Sequence, residues 1–230
     1  MKHLYIIVEG PTELEFVNTI LIPYFNSKGI TSHIQGIPIT MSGGGHGFNN
    51  IKHFENTIKP VLHFTNEPII TTLIDYFKLN SETKLPGFIA CSDRLSTDEK
   101  LLCLESELNN IVQKIKHYNY FIPYIQKHEM ETLMFANPED GFSLESDKIK
   151  KAIIEICKQY PNIEDINGTE LGAPSKRLEA IYKSNHEKYD KIIDGMNIAE
   201  LTGIDKMIEK SIRFKSWINK LITELTYSEM

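Results

Sequence analysis

With 230 residues and 41% hydrophobic content, the chain has enough apolar material for one packed domain plus a smaller appendage, which excludes a disordered protein. Its 31 acidic against 25 basic residues leave a net charge of -6, so no general basic field draws it to nucleic acid and any phosphate must be met locally, by a metal or a small basic patch. Cys91, Cys103 and Cys157, an odd number at wide spacings, predict neither a disulfide framework nor a zinc pair, and hence a reducing compartment.

Residues 3–8 are short and apolar throughout, as suits a strand buried on both faces, and the run stops at Glu9-Gly10. No cleavage site follows this start and no apolar run reaches the roughly 18 to 20 residues of a membrane span, so a cytoplasmic chain without a membrane partner is expected. Pro11 then opens a helix whose face carries Leu14, Val17, Leu21 and Tyr24, until Asn26, Ser27 and Gly29 end it.

A second strand is expected over 32–40, then a glycine-rich loop over 42–47 and a helix over about 50–64. The loop lacks the Gly-Lys-Ser/Thr ending of a nucleotide-binding P-loop, so it reads as a mobile connection or as backbone approaching a phosphate strand. A third buried strand over 69–74 ends at Asp75. A long helix follows from Ser96, with Glu99 completing a capping box and Leu101, Leu104, Leu108, Ile111 and Ile115 on one stripe. The fourth strand, 120–126, contains Pro123 and therefore belongs at a sheet edge.

Alternating strands and amphipathic helices predict an α/β fold with a parallel sheet flanked by helices. Past about 138 the strand signals cease, and helical patterns over 148–160, 175–182 and 204–225 predict a helical C-terminal appendage. The expected units are 1–137 and, packed on it, 138–230. The apolar stripes near the C-terminus, including Trp217 and Leu221, suit the core or a partner.

Ligands gather at the carboxyl ends of parallel strands, which is where Glu9 and Asp75 fall. If their strands are neighbours, the two carboxylates repel one another unless a divalent cation joins them, and oxygen-only ligands select magnesium, manganese or calcium. Glu13, in the first helical turn, suits the helix dipole or a ligand role equally. His128-Glu129-Met130-Glu131 follows the fourth strand toward the same edge. In a helix, Glu129 and Glu131 diverge by about 200° and only one faces the site, with Glu129 preferred. His128 reads as a hydrogen-bonded neighbour before a ligand. Lys176 and Arg177 fall in the first turn of a helix opened by Pro174, where cations oppose the dipole; they are surface charges or part of a phosphate site.

These residues carry a resemblance. Val8-Glu9-Gly10-Pro11-Thr12-Glu13 resembles the opening signature of Toprim domains, notably those of the overcoming-lysogenization-defect nucleases. Leu73-Ile74-Asp75-Tyr76-Phe77, residues 121–126, His128 to Glu131, and Ala173-Pro174-Ser175-Lys176-Arg177 make the whole similar to the bacterial family of domain of unknown function DUF4276. The resemblance implies phosphodiester chemistry on nucleic acid with Mg2+ or Mn2+. It makes Glu9 the first-strand acid and general base, Asp75 the first acid of an Asp-x-Asp pair, and Lys176 a catalytic cation. Phe77 stands where the second aspartate belongs, so the second acidic contribution comes from elsewhere, with Glu129 preferred over Glu13 and Glu131, or is absent. His128, Lys176 and Arg177 are the expected phosphate contacts. A separately encoded ABC-type ATPase, a role in anti-phage defence and a second copy of the chain as partner are compatible with the resemblance, as is a subunit that keeps the fold without the chemistry.

Overall fold

A computed structural model describes residues 2–41, 43–166 and 172–227. Strand β1 (Leu4–Val8) leads into α1 (Pro11–Phe16), a π-helical turn over Val17–Leu21 and α2 (Ile22–Ser27). The wide turn has a local cause: Pro23 has no N–H and its ring crowds the preceding turn, so the helix loosens until Ile22 N–H donates to the Val17 carbonyl five residues back. Gly29, at φ 79°, ends the helix as its sequence position suggests.

Strand β2 (Ile34–Pro38), α3 (Ile51–Leu62), β3 (Ile69–Asp75), the short α4 (Phe88–Ser92) and the long α5 (Thr97–Ile115) follow. Ser96 and Glu99 form the expected capping box at the start of α5, at 3.2 Å and 3.0 Å. Between β2 and α3, Gly43, Gly44 and Gly45 all take positive φ and fold the chain back on itself, with Met41 N–H donating to the Gly45 carbonyl. Ser42 of the glycine-rich segment lies outside the described residues.

The five strands form a parallel sheet in the order β2-β1-β3-β4, where β4 is Phe121–Ile122, and β5 (Ile125–Gln126) also pairs with β3. The expected single strand over 120–126 is therefore broken, and Pro123 is the reason. Around it the ladder is replaced by Thr72, whose hydroxyl accepts from Tyr124 N–H at 2.8 Å and donates to the Tyr124 carbonyl at 2.7 Å. Its place on the sheet edge is as expected.

After β5 come a 3-10 stretch over Met130–Ala136, α6 (Pro138–Gly141), α7 (Asp147–Gln159), α8 (Pro174–Ser184), α9 (Ile193–Thr202), α10 (Ile204–Lys210) and α11 (Ile212–Tyr227). The pattern over 204–225 is two helices broken at Ser211, and α9 is an addition the sequence reading did not contain.

Two apolar clusters sandwich the sheet. Tyr5, Ile7, Ile70 and Ile74 face α3 and α5, through Phe54, Ile58, Leu101 and Leu108. On the other side Leu4, Ile6, Val8, Ile69 and Leu73 join Phe16 and Phe25 and the C-terminal Phe214, Trp217 and Leu221. Alternating side chains on doubly covered strands explain why each strand reads as an unbroken apolar run.

One expectation is corrected. Cys91 and Cys103 are joined by a disulfide that ties α4 to α5, and Cys157 is free. Spacing failed because pairing depends on whether two elements bring their Cβ atoms together, and the turn at 93–96 folds α4 back against the second turn of α5. The argument for a reducing compartment rested on cysteine spacing and falls with it. Among the described residues, no helix is long and apolar enough to cross a membrane.

Candidate functional site

The acidic residues assemble from the sheet outward. Glu9 follows β1 directly, and its N–H continues the ladder to the Leu73 carbonyl at 3.3 Å; Asp75 is the last residue of β3. Since β1 and β3 are parallel neighbours in the register Val8 to Leu73, both carboxylates stand on the carboxyl rim of adjacent strands. They are 7% and 5% exposed. Glu13, in the first turn of α1, turns back so that its Oε2 accepts Gly10 N–H at 2.9 Å.

The third contribution enters beside β5. Gln126 pairs with Asp75, so the chain leaves β5 at the same rim, where His128 takes φ 65° and redirects it. That left-handed turn in a non-glycine residue is strained backbone held by its surroundings. The His128 ring stacks on Phe77 at 5.4 Å, and its Nε2 bonds to the Glu164 carbonyl at 2.9 Å. Burial lowers its pKa below the ordinary imidazole value. His128 thus packs and hydrogen-bonds beside the rim. Phe77 forms its stacking surface.

Glu129 is extended and only Met130 begins the 3-10 turn, so the expected divergence of Glu129 and Glu131 does not arise and both are buried. Met130 N–H donates to Asp75 Oδ1 at 3.0 Å. Glu129 Oε2 accepts Ser175 N–H at 2.9 Å, capping α8, and Glu131 Oε1 lies 2.8 Å from Lys191 Nζ.

The electrostatics show how closely these groups act on each other. Burial, reinforced by the charge of Glu9, raises the Glu13 carboxyl to about 7. Asp75 is pushed well above the usual aspartate range by burial, then by Glu13, Glu9, Glu131 and Glu129. Burial also raises Glu131, against the pull of Lys191. Burial would lower the Lys191 ammonium, but Glu131 more than compensates and holds it above the ordinary lysine value. Five carboxylates therefore share one rim, with protons and one lysine offsetting their repulsion. The donor set is entirely oxygen, which suits a hard divalent cation. Among the described residues, no three such side chains already stand in a ligating arrangement.

The expected cationic clamp is not formed. The N-terminus of α8 is occupied by the Glu129 carboxylate. Lys176 pairs with Glu179 one turn on at 2.7 Å, and Arg177 donates to the Gly172 carbonyl and the Tyr160 hydroxyl while lying over the Tyr160 ring. Among the described residues, the cation that acts on the rim is Lys191, which the sequence reading missed. Its neighbourhood, Lys188-Tyr189-Asp190-Lys191, reads as an ordinary charged connection, and its partner lies 60 positions away.

A parallel α/β sheet whose carboxyl rim gathers five buried acids defines an acid-rimmed α/β protein, with the rim as its candidate centre. The chain belongs to the family described as domain of unknown function DUF4276, which matches residues 8–222 and so includes every rim residue. No curated protein and no solved structure matches it.

Proposed function

We propose that the chain is a Toprim-type, magnesium- or manganese-dependent phosphodiesterase acting on nucleic acid. The observation that carries this reading is the convergence of Glu9, Glu13, Asp75, Glu129 and Glu131 on one buried rim, where burial, and after it their mutual charges, raise the pKa of Glu13 and Asp75. Each buried charge costs solvation that an apolar substitute would not cost, and a bound divalent cation would offset that cost for all five at once.

When bound, the cation supplies Lewis-acid polarisation of the scissile phosphate and a more acidic water. The residues of the chain do the rest. Glu9 and Asp75, on adjacent strands, would hold the cation, and Glu13 and Glu131 would complete the oxygen set. Met130 N–H fixes Asp75 through one oxygen and leaves the other for the site. Glu9 is also the group that takes the proton from water. Lys176, about half exposed, can leave Glu179 for a substrate phosphate because an exposed i,i+3 pair contributes only about 0.3–0.5 kcal/mol. A separately encoded ABC-type ATPase, cytoplasmic residence and a part in anti-phage defence complete the proposal.

The test is cleavage of labelled DNA and RNA by the purified chain with Mg2+ or Mn2+. Glu9→Gln and Asp75→Asn should each lower the rate by at least about a hundredfold, the scale expected for loss of a positioned acid–base group. Undiminished cleavage by both variants refutes the assignment.

A second reading, a non-catalytic subunit that keeps the fold, is favoured by two observations. Phe77 stacks on His128 where a second aspartate is expected, and Glu13, Glu129 and Glu131 already have partners within the chain. Calorimetric titration with Mn2+ separates the two: heat of binding supports the enzyme, and its absence supports the subunit.

A further inference from the structure

Lys191 is unlike the other lysines that carry ion pairs in this chain. Its partner Glu131 has a side chain only 3% exposed, while its own side chain is 40% exposed, so the ammonium reaches down from the surface into the acidic rim. Lys158 on α7, Lys176 on α8 and Lys206 on α10 pair with partners three residues away on the exposed face of their own helix, and the carboxylates paired with Lys127 and Lys150 are all more than half exposed.

The backbone that carries it is pinned. Asp190 Oδ1 accepts the N–H groups of both Ile192 and Ile193 at 2.9 Å, and Asp190 N–H donates to Asp194 Oδ2, which together form the start of α9. On the other side Tyr189 is buried and its hydroxyl contacts Met134 Sδ at 3.6 Å. The part free to move is therefore the four-carbon stem. Swinging it into water costs the pair but needs no rearrangement of the fold, because a lysine ammonium is a compact, strongly hydrated charge on a flexible arm.

We propose that Lys191 is a resident counter-ion of the acidic rim, which a divalent cation must displace from Glu131 before Glu131 can serve that cation. This inference rests on the metal-binding reading above. The groups facing the ammonium are Glu131, Glu129 and Asp75, three of the five rim acids. One positive charge among them lowers the repulsion that a metal would otherwise remove, and so lowers the gain on metal binding. The two cations compete for the same oxygens, and by linkage whatever favours one disfavours the other.

Two measurements test this on the full chain. The first is calorimetric titration with Mn2+ of the wild type, Lys191→Met, which keeps the apolar stem, and Lys191→Arg, which keeps the charge. Lys191→Met should bind Mn2+ roughly tenfold more tightly, within the usual range of coupling between two sites, and Lys191→Arg should stay near wild type. The second uses the wild type alone, so it survives if Lys191→Met does not fold: the rate of Lys191 acylation by an amine-reactive ester, read by mass spectrometry against the exposed Lys52. Mg2+ should raise the Lys191 rate several-fold and leave Lys52 unchanged. Mn2+ binding by wild type and Lys191→Met with equal affinity, or more weakly by the variant, overturns the inference and leaves the metal reading intact. An unchanged or slower acylation rate at saturating Mg2+ does the same. Failure of every form to bind Mn2+ overturns the metal reading and this inference with it.

Discussion

Glu13 shows what a carboxylate experiences on this rim. Its pKa of about 7 in the folded chain, against 4.5 for the free side chain, means that the folded state holds a proton that the unfolded state releases. Stability contributed by that proton is complete below about pH 4.5 and is lost as the pH rises through about 7, with a slope of up to about 1.4 kcal/mol per pH unit. Asp75 is shifted in the same direction and steepens the loss. In the presence of a chelator, the melting temperature should therefore fall between pH 5 and pH 8; Glu13→Gln should flatten the fall, and Mg2+ at pH 8 should reverse it. Scanning calorimetry across that range decides the matter, and a melting temperature that climbs with pH contradicts the arrangement. Glu9 and Asp75 were legible beforehand because each closes an apolar run, so a strand end and a carboxylate coincide in the sequence. Lys191, and the pairing of Cys91 with Cys103, were not legible because each depends on which surfaces meet after folding. Arg177 misled for a related reason: a cation in a first helical turn suggests a bound anion, but here the anion is Glu129 of the same chain and Arg177 turns away to Tyr160.

At the level of elements, α8 and the segment beside β5 depend on each other. The first four N–H groups of a helix lack partners within it, and α8 has Pro174 and no capping side chain of its own at Ala173. Glu129 supplies the missing acceptor from 46 positions away, so the rim helps to hold a helix as well as facing the candidate site. Two effects oppose one another when Glu129 is changed: the cap is lost and the repulsion on Asp75 is relieved. Glu129→Gln keeps an acceptor and removes the charge, whereas Glu129→Ala removes both. Denaturant titration should therefore find the alanine variant less stable than the glutamine variant by about 1 kcal/mol, the usual value of an N-cap. Equal stabilities would mean that the 2.9 Å contact contributes nothing to the helix. Most elements could be read from local pattern, because the β1 and β3 runs are buried on both faces and α5 carries a regular leucine stripe. Helix α9 escaped because its buried face includes the weakly apolar Gly195, Ala199 and Thr202 while Ile193 and Leu201 on the same helix are exposed, so the apolar and polar faces contrast little in the sequence. The break in the fourth strand escaped because Pro123 marks an edge without revealing that Thr72 would stand in for the ladder.

For the whole molecule, the question is whether the helices after residue 138 stand apart from the sheet. Strands β1 and β3 present Leu4, Ile6, Val8, Ile69 and Leu73 to the same cluster that holds Phe214, Trp217 and Leu221 of α11. Trp217 stacks on Tyr124 at 4.4 Å, and its Nε1 donates to Thr71 Oγ1 of β3 at 2.8 Å. Arg213, also on α11, pairs with Glu105 of α5, which in turn accepts Ile125 N–H of β5 at 2.9 Å. This face of the sheet, which α1 and α2 cover in part, is thus fully covered only when the C-terminal helices are in place, and removing them would expose apolar surface, which is costly in water. Unfolding should then be a single cooperative event. The chain has one tryptophan, and it sits at this junction, so fluorescence reports the junction while far-ultraviolet circular dichroism reports the helices as a whole. The two denaturant curves should coincide, which is the ordinary criterion for a two-state transition. Trp217→Ala should destabilise the chain by about 3–5 kcal/mol and move the dichroism curve as one unit. A fluorescence transition at clearly lower denaturant than the dichroism transition would instead make residues 138–230 a separable body. The acidic rim would then have to keep its shape without α8 and Lys191, two of the supports that hold Glu129 and Glu131 in place.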